Sequence, residues 1–264
     1  MDEGLEKLTA LVRDAEKIVV FSGAGISTES GIPDFRSPGG VWEKFDPNEF
    51  HIDRFLASEQ SRRRYWQRTT EFWAGIAAAQ PNAGHMAVVE LEKLGKISAV
   101  ITQNVDGLHQ IAGTSPEKVI ELHGTSRKVH CLGCGESHQR EAFQAKVSAD
   151  GHAPDCESCG GLMKPATISF GQMLPPEAID RASRETENCD LFMVIGSSLV
   201  VYPAAGFPLL AVKKGAPLVI VNLQETPHDP YAAVVVREKS GDVLPLVISG
   251  LSAGRPLPTP PLYS

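Results

Sequence analysis

Residues 18–27 read Ile-Val-Val-Phe-Ser-Gly-Ala-Gly-Ile-Ser. Four consecutive apolar residues, three of them β-branched, predict a strand covered on both faces, because a half-exposed strand would alternate with polar residues. The turn Gly23-Ala24-Gly25 follows at once and is expected to open a helix, whose first amides and positive dipole end can cradle a pyrophosphate. The same glycines would equally serve a turn that needs only close packing of strand on helix. The turn departs from the dinucleotide fingerprint of hydride-transfer enzymes. Thr28 stands where a third glycine is expected, and no acidic residue ends a second strand about 20 residues on.

Upstream, Leu5, Leu8, Leu11 and Val12 recur at helical spacing. Downstream, further β-rich runs occur at 99–102 (AVIT), 118–122 (KVIEL), 191–196 (LFMVIG) and 217–222 (PLVIVN), with helical patterns between several of them. That alternation predicts an α/β fold: a Rossmann-like parallel sheet with helices on both faces. Two stretches break the pattern. Residues 38–80 concentrate Trp42, Phe45, Phe50, Phe55, Tyr65, Trp66, Phe72 and Trp73, as expected of helices with a small core of their own. Residues 125–168 have no long apolar periodicity but hold four paired cysteines. The expected organisation is a Rossmann-like domain of residues 1–37, 81–124 and 169–250, a small helical and zinc-binding domain of 38–80 and 125–168, and a Pro-rich flexible tail, 251–264.

Cys131-x-x-Cys134, 21 residues, then Cys156-x-x-Cys159 gives two knuckle-like pairs that can present four thiolates tetrahedrally to one zinc ion. Four protein ligands leave no open position, so the metal is expected to be structural, and metal-assisted hydrolysis is disfavoured. Paired thiols of this kind suit a reducing compartment better than a disulfide framework. Cys189, before LFMVIG, reads as a small buried hydrophobe. The formal net charge of −7 implies no general attraction to nucleic acid or to anionic membranes. No apolar run approaches the roughly 20 residues of a membrane span, and MDEGLEKL does not resemble a secretory signal, so a cytoplasmic monomer is expected.

Other polar groups gather at predicted strand ends. Gly31-Ile32-Pro33-Asp34-Phe35-Arg36 lies just past the glycine turn, Thr102-Gln103-Asn104-Val105-Asp106 follows AVIT, and Gly196-Ser197-Ser198 and Asn222 end two further strands. In open α/β sheets the carboxyl ends of strands form the ligand crevice. The segments GAGIS (23–27), GIPDFR (31–36), TQNVDGLH (102–109), ELHG (121–124), the paired CxxC and GSSLVVYPAA (196–205) together resemble the sirtuins, NAD-dependent protein lysine deacylases, over residues 5–247.

The resemblance implies that His123 is the catalytic base, acting with Asn104, and that NAD is consumed. An acyl-lysine oxygen attacks the nicotinamide ribose, nicotinamide leaves, His123 helps a ribose hydroxyl attack the carbon of the resulting imidate, and water then releases free lysine and O-acyl-ADP-ribose. A neutral imidazole suits that role near neutral pH. The resemblance further places Ile32, Asn104 and Asp106 at the nicotinamide, and Gln103 and Asn104 at the ribose. It puts Gly23, Ala24, Gly25, Asp34, Phe35 and Arg36 over the phosphates and ribose, and Gly196, Ser197, Ser198, Asn222, Asp242 and Val243 at the adenosine end. The acylated peptide would add as a strand between Phe170-Gly171-Gln172 and Val200-Val201-Tyr202, with Ile168, Phe170 and Val200 lining the acyl-lysine tunnel. Many sirtuins read FFGE where this chain has Ser169-Phe170-Gly171-Gln172. Tyr65-x-x-Arg68 matches the pair with which some sirtuins read an acidic acyl group; the alternative is that Arg62, Arg63, Arg64 and Arg68 form a solvated helix face. Transfer of ADP-ribose to protein, or a zinc module that merely senses NAD, would use the same residues.

Overall fold

The computed structural model describes residues 3–252, so the expected tail lies, from 253 on, outside the described residues. Nine strands are present there: β1 (Ile18–Ser22), β2 (Ile97–Thr102), β3 (Val119–Glu121), β4 (Gly124–Cys131), β5 (Ser137–Gln139), β6 (Met163–Thr167), β7 (Leu191–Ile195), β8 (Leu218–Val221) and β9 (Val234–Val236). Six of them form a parallel sheet in the order β3-β2-β1-β7-β8-β9. Every residue of β1 is buried, as its unbroken apolar run requires. Ser22, its last residue, lies level with Thr102 of β2 and Ile195 of β7. From β1 the chain builds outward first through β2 and β3, then returns to the other side for β7, β8 and β9. The carboxyl ends of the three central strands therefore flank a topological switch point, where such sheets bind ligands.

Alternate residues of β1 feed two cores. Ile18 and Val20 pack with Leu8 and Val12 of α1 (Glu3–Asp14), and with residues of two helices introduced below that close the same face. Val19 and Phe21 pack against the opposite helical layer. The short helices α2 (Val41–Lys44) and α3 (Ile52–Ala57) and the longer α4 (Glu59–Ala78) fill residues 41–78. Then come α5 (Ala83–Lys93), α6 (Leu108–Ala112), α7 (Arg140–Gln144), α8 (Pro176–Asn188), α9 (Phe207–Lys213) and α10 (Ser240–Ser252). Helices α5 and α10 join α1 on its face, and α8 and α9 cover the other.

A second, antiparallel sheet, β5-β4-β6, carries the cysteines. Phe55, Tyr65 and Trp66 from the helical stretch share one core with Val129, Phe143 and Met163 from the cysteine stretch. The aromatic density of residues 41–78 thus buys its burial from a segment that arrives some sixty residues later in the chain.

The helix expected after Gly23 is a 3-10 helix, residues 24–30, a tighter turn than an α-helix. The structure differs from expectation in two places. Strand β9, three valines long, was not anticipated. Cys189 is only partly buried: it ends α8, its Sγ donates to the Thr186 carbonyl at 3.2 Å, and desolvation pushes its thiol up to about 11.

Candidate active site

The turn after β1 is built by close approach. Gly23 N donates to Ile195 O and Gly25 N to Gly196 O, so two strand-end turns lie backbone on backbone. A Cβ on Gly25 would sit 2.7 Å from Gly196 Cα, and one on Gly23 2.7 Å from Gly196 O. Tight packing is thus sufficient to require both glycines, whatever ligand the turn holds.

His123 stands at the mouth of the third strand. Its Nδ1 lies 3.0 Å from the Gln103 carbonyl, and since a carbonyl only accepts, Nδ1 carries the proton and Nε2 is left with a free lone pair. Burial lowers the His123 pKa below the usual histidine value, only partly opposed by the bond to Gln103. The ring is therefore neutral at neutral pH and able to take a proton.

The neighbouring residues are fixed by buried polar bonds. Asn104 Nδ2 donates to Gly23 O and to Ser27 Oγ, each at 3.1 Å, while its own amide N–H donates to Thr102 Oγ1. Asp106 accepts from Ser27 Oγ and from Leu108 N, both at 2.8 Å. Gln103 Nε2 donates to Ser197 Oγ at 2.8 Å, bridging the ends of β2 and β7. Beneath them Ser22 Oγ contacts Thr102 Oγ1 and His109 Nε2, and the His109 ring meets His85 edge-on.

All of this opens on one cleft of about 960 Å³. Gly23, Ala24, Gly25, Ile32, Asp34, Phe35, Arg36, Gln103, Asn104, Asp106, His123, Gly196, Ser197, Ser198 and Asn222 line it, as do Tyr65, Ile168, Phe170, Gly171, Gln172, Val201 and Tyr202. Four expected residues lie elsewhere. Val243 is buried in the core and Asp242 is exposed on α10. Glu29 caps the start of that helix through Gly241 N, and Glu238, Lys239 and Ser240 form the wall instead. These follow β9, so a further strand end of the sheet contributes to the cleft. Val200 is exposed beside the cleft rather than on its wall. Arg68 turns away: its Nε is 2.5 Å from Glu49 Oε2 and its guanidinium lies over the Phe45 ring. The Arg68 side chain is held this way at 30% exposure, and Arg64 on the same helix is exposed.

The peptide edge is narrower than expected. Phe170 N donates to Phe50 O and Phe170 O accepts from Ile52 N, so its backbone is already paired and an incoming strand must begin at Gly171. On the other side Val201 O is taken by Ala205 N.

The four paired cysteines converge, with all Sγ atoms within 4.8 Å of one another and the pairs 131–159 and 134–156 at 3.5 and 3.7 Å. Zinc–sulfur bonds of about 2.3 Å in a tetrahedron put sulfurs about 3.8 Å apart, so the donor set fits one zinc ion. The Cys134 and Gly133 amides donate to Cys131 Sγ and lower its pKa to about 6, whereas burial pushes Cys156 up to about 12, so the metal's own charge is what would hold all four as thiolates.

Comparison with known proteins agrees with this geometry. The chain is 48% identical to NAD-dependent protein deacetylase 1 of Bradyrhizobium diazoefficiens over 241 residues, covering 91% of this chain and 94% of that one. It is similar to a solved Sir2 structure with p53 peptide and NAD+, with TM-score 0.84 and 38% identity over 95% of this chain and 99% of that one. It is similar also to a Sir2 variant holding a deacetylated p53 peptide and 3′-O-acetyl ADP-ribose, with TM-score 0.85 and 39% identity over 93% of this chain and 97% of that one. A model of the Sir2 family matches residues 23–203, and the chain belongs to that family, the sirtuins.

Proposed function

We propose that this protein removes acyl groups from lysine side chains of proteins or peptides, consuming NAD and releasing nicotinamide and O-acyl-ADP-ribose. The observation that carries the reading is the Nδ1–H tautomer of His123, held by Gln103 O, which leaves Nε2 unprotonated on the same cleft as the glycine turn and the strand ends. NAD supplies the leaving group and the ADP-ribosyl acceptor of the acyl chain. His123 Nε2 takes a proton from a ribose hydroxyl as that oxygen becomes a nucleophile. Asn104 and Asp106, locked by Ser27 and by backbone groups, give the nicotinamide end a preformed polar wall.

Phe35, 41% exposed and leaning on Trp42 at 5.1 Å, is placed to screen the reacting carbon from water. Gly25 and Ser197 belong to the phosphate and adenosine side, with Lys239 and Ser240 in the positions expected of Asp242 and Val243. The peptide enters along Gly171 and Val200 by backbone pairing, which reads extended shape more than sequence. One zinc ion on Cys131, Cys134, Cys156 and Cys159 holds the small antiparallel unit and takes no part in the reaction. The chain then divides into an NAD-binding Rossmann-like domain and a helical and zinc-binding one. Among the described residues no helix is long and apolar enough to cross a membrane; a cytoplasmic monomer is proposed.

Mass spectrometry of the products tests the reaction. An acetyl-lysine peptide with NAD is expected to yield free lysine and O-acetyl-ADP-ribose. Accumulation of ADP-ribose on protein, without loss of the acetyl group, would instead establish the transferase reading.

A further inference from the structure

The wall of the cleft farthest along α4 is formed by Tyr65, Thr69, Phe72, Trp73 and Ile76, and Arg140 of α7 lines it with them. Arg140 is 1% exposed. Its guanidinium lies 4.8 Å from the Trp66 ring and 5.7 Å from the Trp73 ring, and its Nε donates to Gln144 Oε1 at 2.9 Å. Nη2 is buried and has no hydrogen-bond partner. No carboxylate pairs with Arg140 among the described residues. Burial lowers its pKa only to about 10, so the side chain stays cationic at neutral pH.

A second cation lies behind the same wall. Lys164 is fully buried, donates only to the carbonyls of Pro165 and Thr167, and sits over the Tyr65 ring at 5.5 Å. Two buried cations with no anion are costly, and the usual compensation is a paired negative charge. Uncharged donors on this wall are under-used too. Ser169 Oγ is buried without a close hydrogen-bond partner, and Tyr65 OH, which also neighbours Ser169 and Lys164, contacts Thr167 Oγ1 at 3.5 Å. Stacking between two tryptophans accounts for Arg140 being tolerated, but it leaves Nη2 and Ser169 Oγ unexplained.

We propose that Arg140 determines acyl specificity by binding the distal carboxylate of an acidic acyl-lysine such as succinyl-lysine, with Ser169 and Tyr65 as supporting donors. Arg140 then does what the spacing of Arg68 suggested, since Arg68 is engaged by Glu49. A guanidinium fork matches a carboxylate in two parallel hydrogen bonds, and an ammonium does not. The inference rests on the deacylase reading above.

Matched peptides carrying succinyl-lysine or butyryl-lysine, which have equal chain length, separate charge from size. Wild-type protein is expected to favour the succinyl peptide in kcat/KM by roughly tenfold or more. Arg140→Met is expected to abolish that preference, chiefly through KM, with Arg140→Lys intermediate; Ser169→Ala is expected to reduce it. Calorimetric binding of the succinyl peptide without NAD gives a readout independent of turnover, and should be tighter than binding of the butyryl peptide. Should Arg140→Met not fold, the wild-type preference and the Arg140→Lys variant still decide. NAD-dependent turnover of butyryl-lysine at least as efficient as that of succinyl-lysine would overturn this inference and leave deacylation standing. No NAD-dependent turnover of either peptide or of acetyl-lysine would overturn the reading on which it rests.

Discussion

His123 can act as a base because one carbonyl fixes its tautomer and burial keeps it uncharged. Burial lowers its pKa from the ordinary histidine value, so the fall of kcat/KM on acidification, as Nε2 becomes protonated, should come at lower pH than for a solvated imidazole. A pH profile whose acid limb begins above pH 7 would contradict that assignment. At the glycine turn, Gly25→Ala drives a Cβ to 2.7 Å from Gly196 Cα. The expected loss is about 1–3 kcal/mol in urea unfolding, as for other overpacked sites. His123 was legible because it sits in Glu121-Leu122-His123-Gly124 after a recognisable strand. Arg140 was not: in Arg-Glu-Ala-Phe-Gln it reads as a surface charge, and only the fold brings Trp66 and Trp73 around it.

Among the elements, α5 is tied to the floor of the cleft by its cap. Asn82 Oδ1 accepts from Gly84 N, while Nδ2 donates to Ile26 O and Ser30 Oγ at 2.7 and 2.9 Å. Asn82→Ala removes the cap and both ties, with an expected cost of about 1–2 kcal/mol in denaturant unfolding. The unit β4–β6 depends on its metal: elemental analysis should give one zinc per chain, and chelation should lower the thermal midpoint and abolish turnover, because β4 begins directly after His123. Unchanged stability on chelation would refute a structural zinc. The strands at 18–22, 191–195 and 218–221 were legible because burial on both faces demands long apolar runs, and β2 was legible through its buried part, 99–102. Strand β9 offered only Val234, Val235 and Val236 at a sheet edge. The residues just past its carboxyl end, Glu238, Lys239 and Ser240, line the cleft, whereas Asp242 and Val243 do not.

Over the whole molecule, two layers of helices on a switch-point sheet and a cysteine-bearing unit meet at a single cleft, and the polar residues beneath it make stability depend on pH. Burial pushes His85 down to about 4 and His109 to about 3. Unfolded chains bind these protons near pH 6.5, so the unfolded state gains protons first as pH drops. Stability should be complete above pH 6.5 and decline between there and about pH 3, seen as a falling urea midpoint; a flat midpoint across that window would be inconsistent with two neutral buried rings. The most direct test of the central claim is nicotinamide release with NAD and an acyl-lysine peptide supplied together or singly. Release should require both substrates, and His123→Ala should lower it by roughly 10²–10⁴-fold while NAD binding persists. Release from NAD alone at the same rate, or full turnover by the alanine variant, would contradict it.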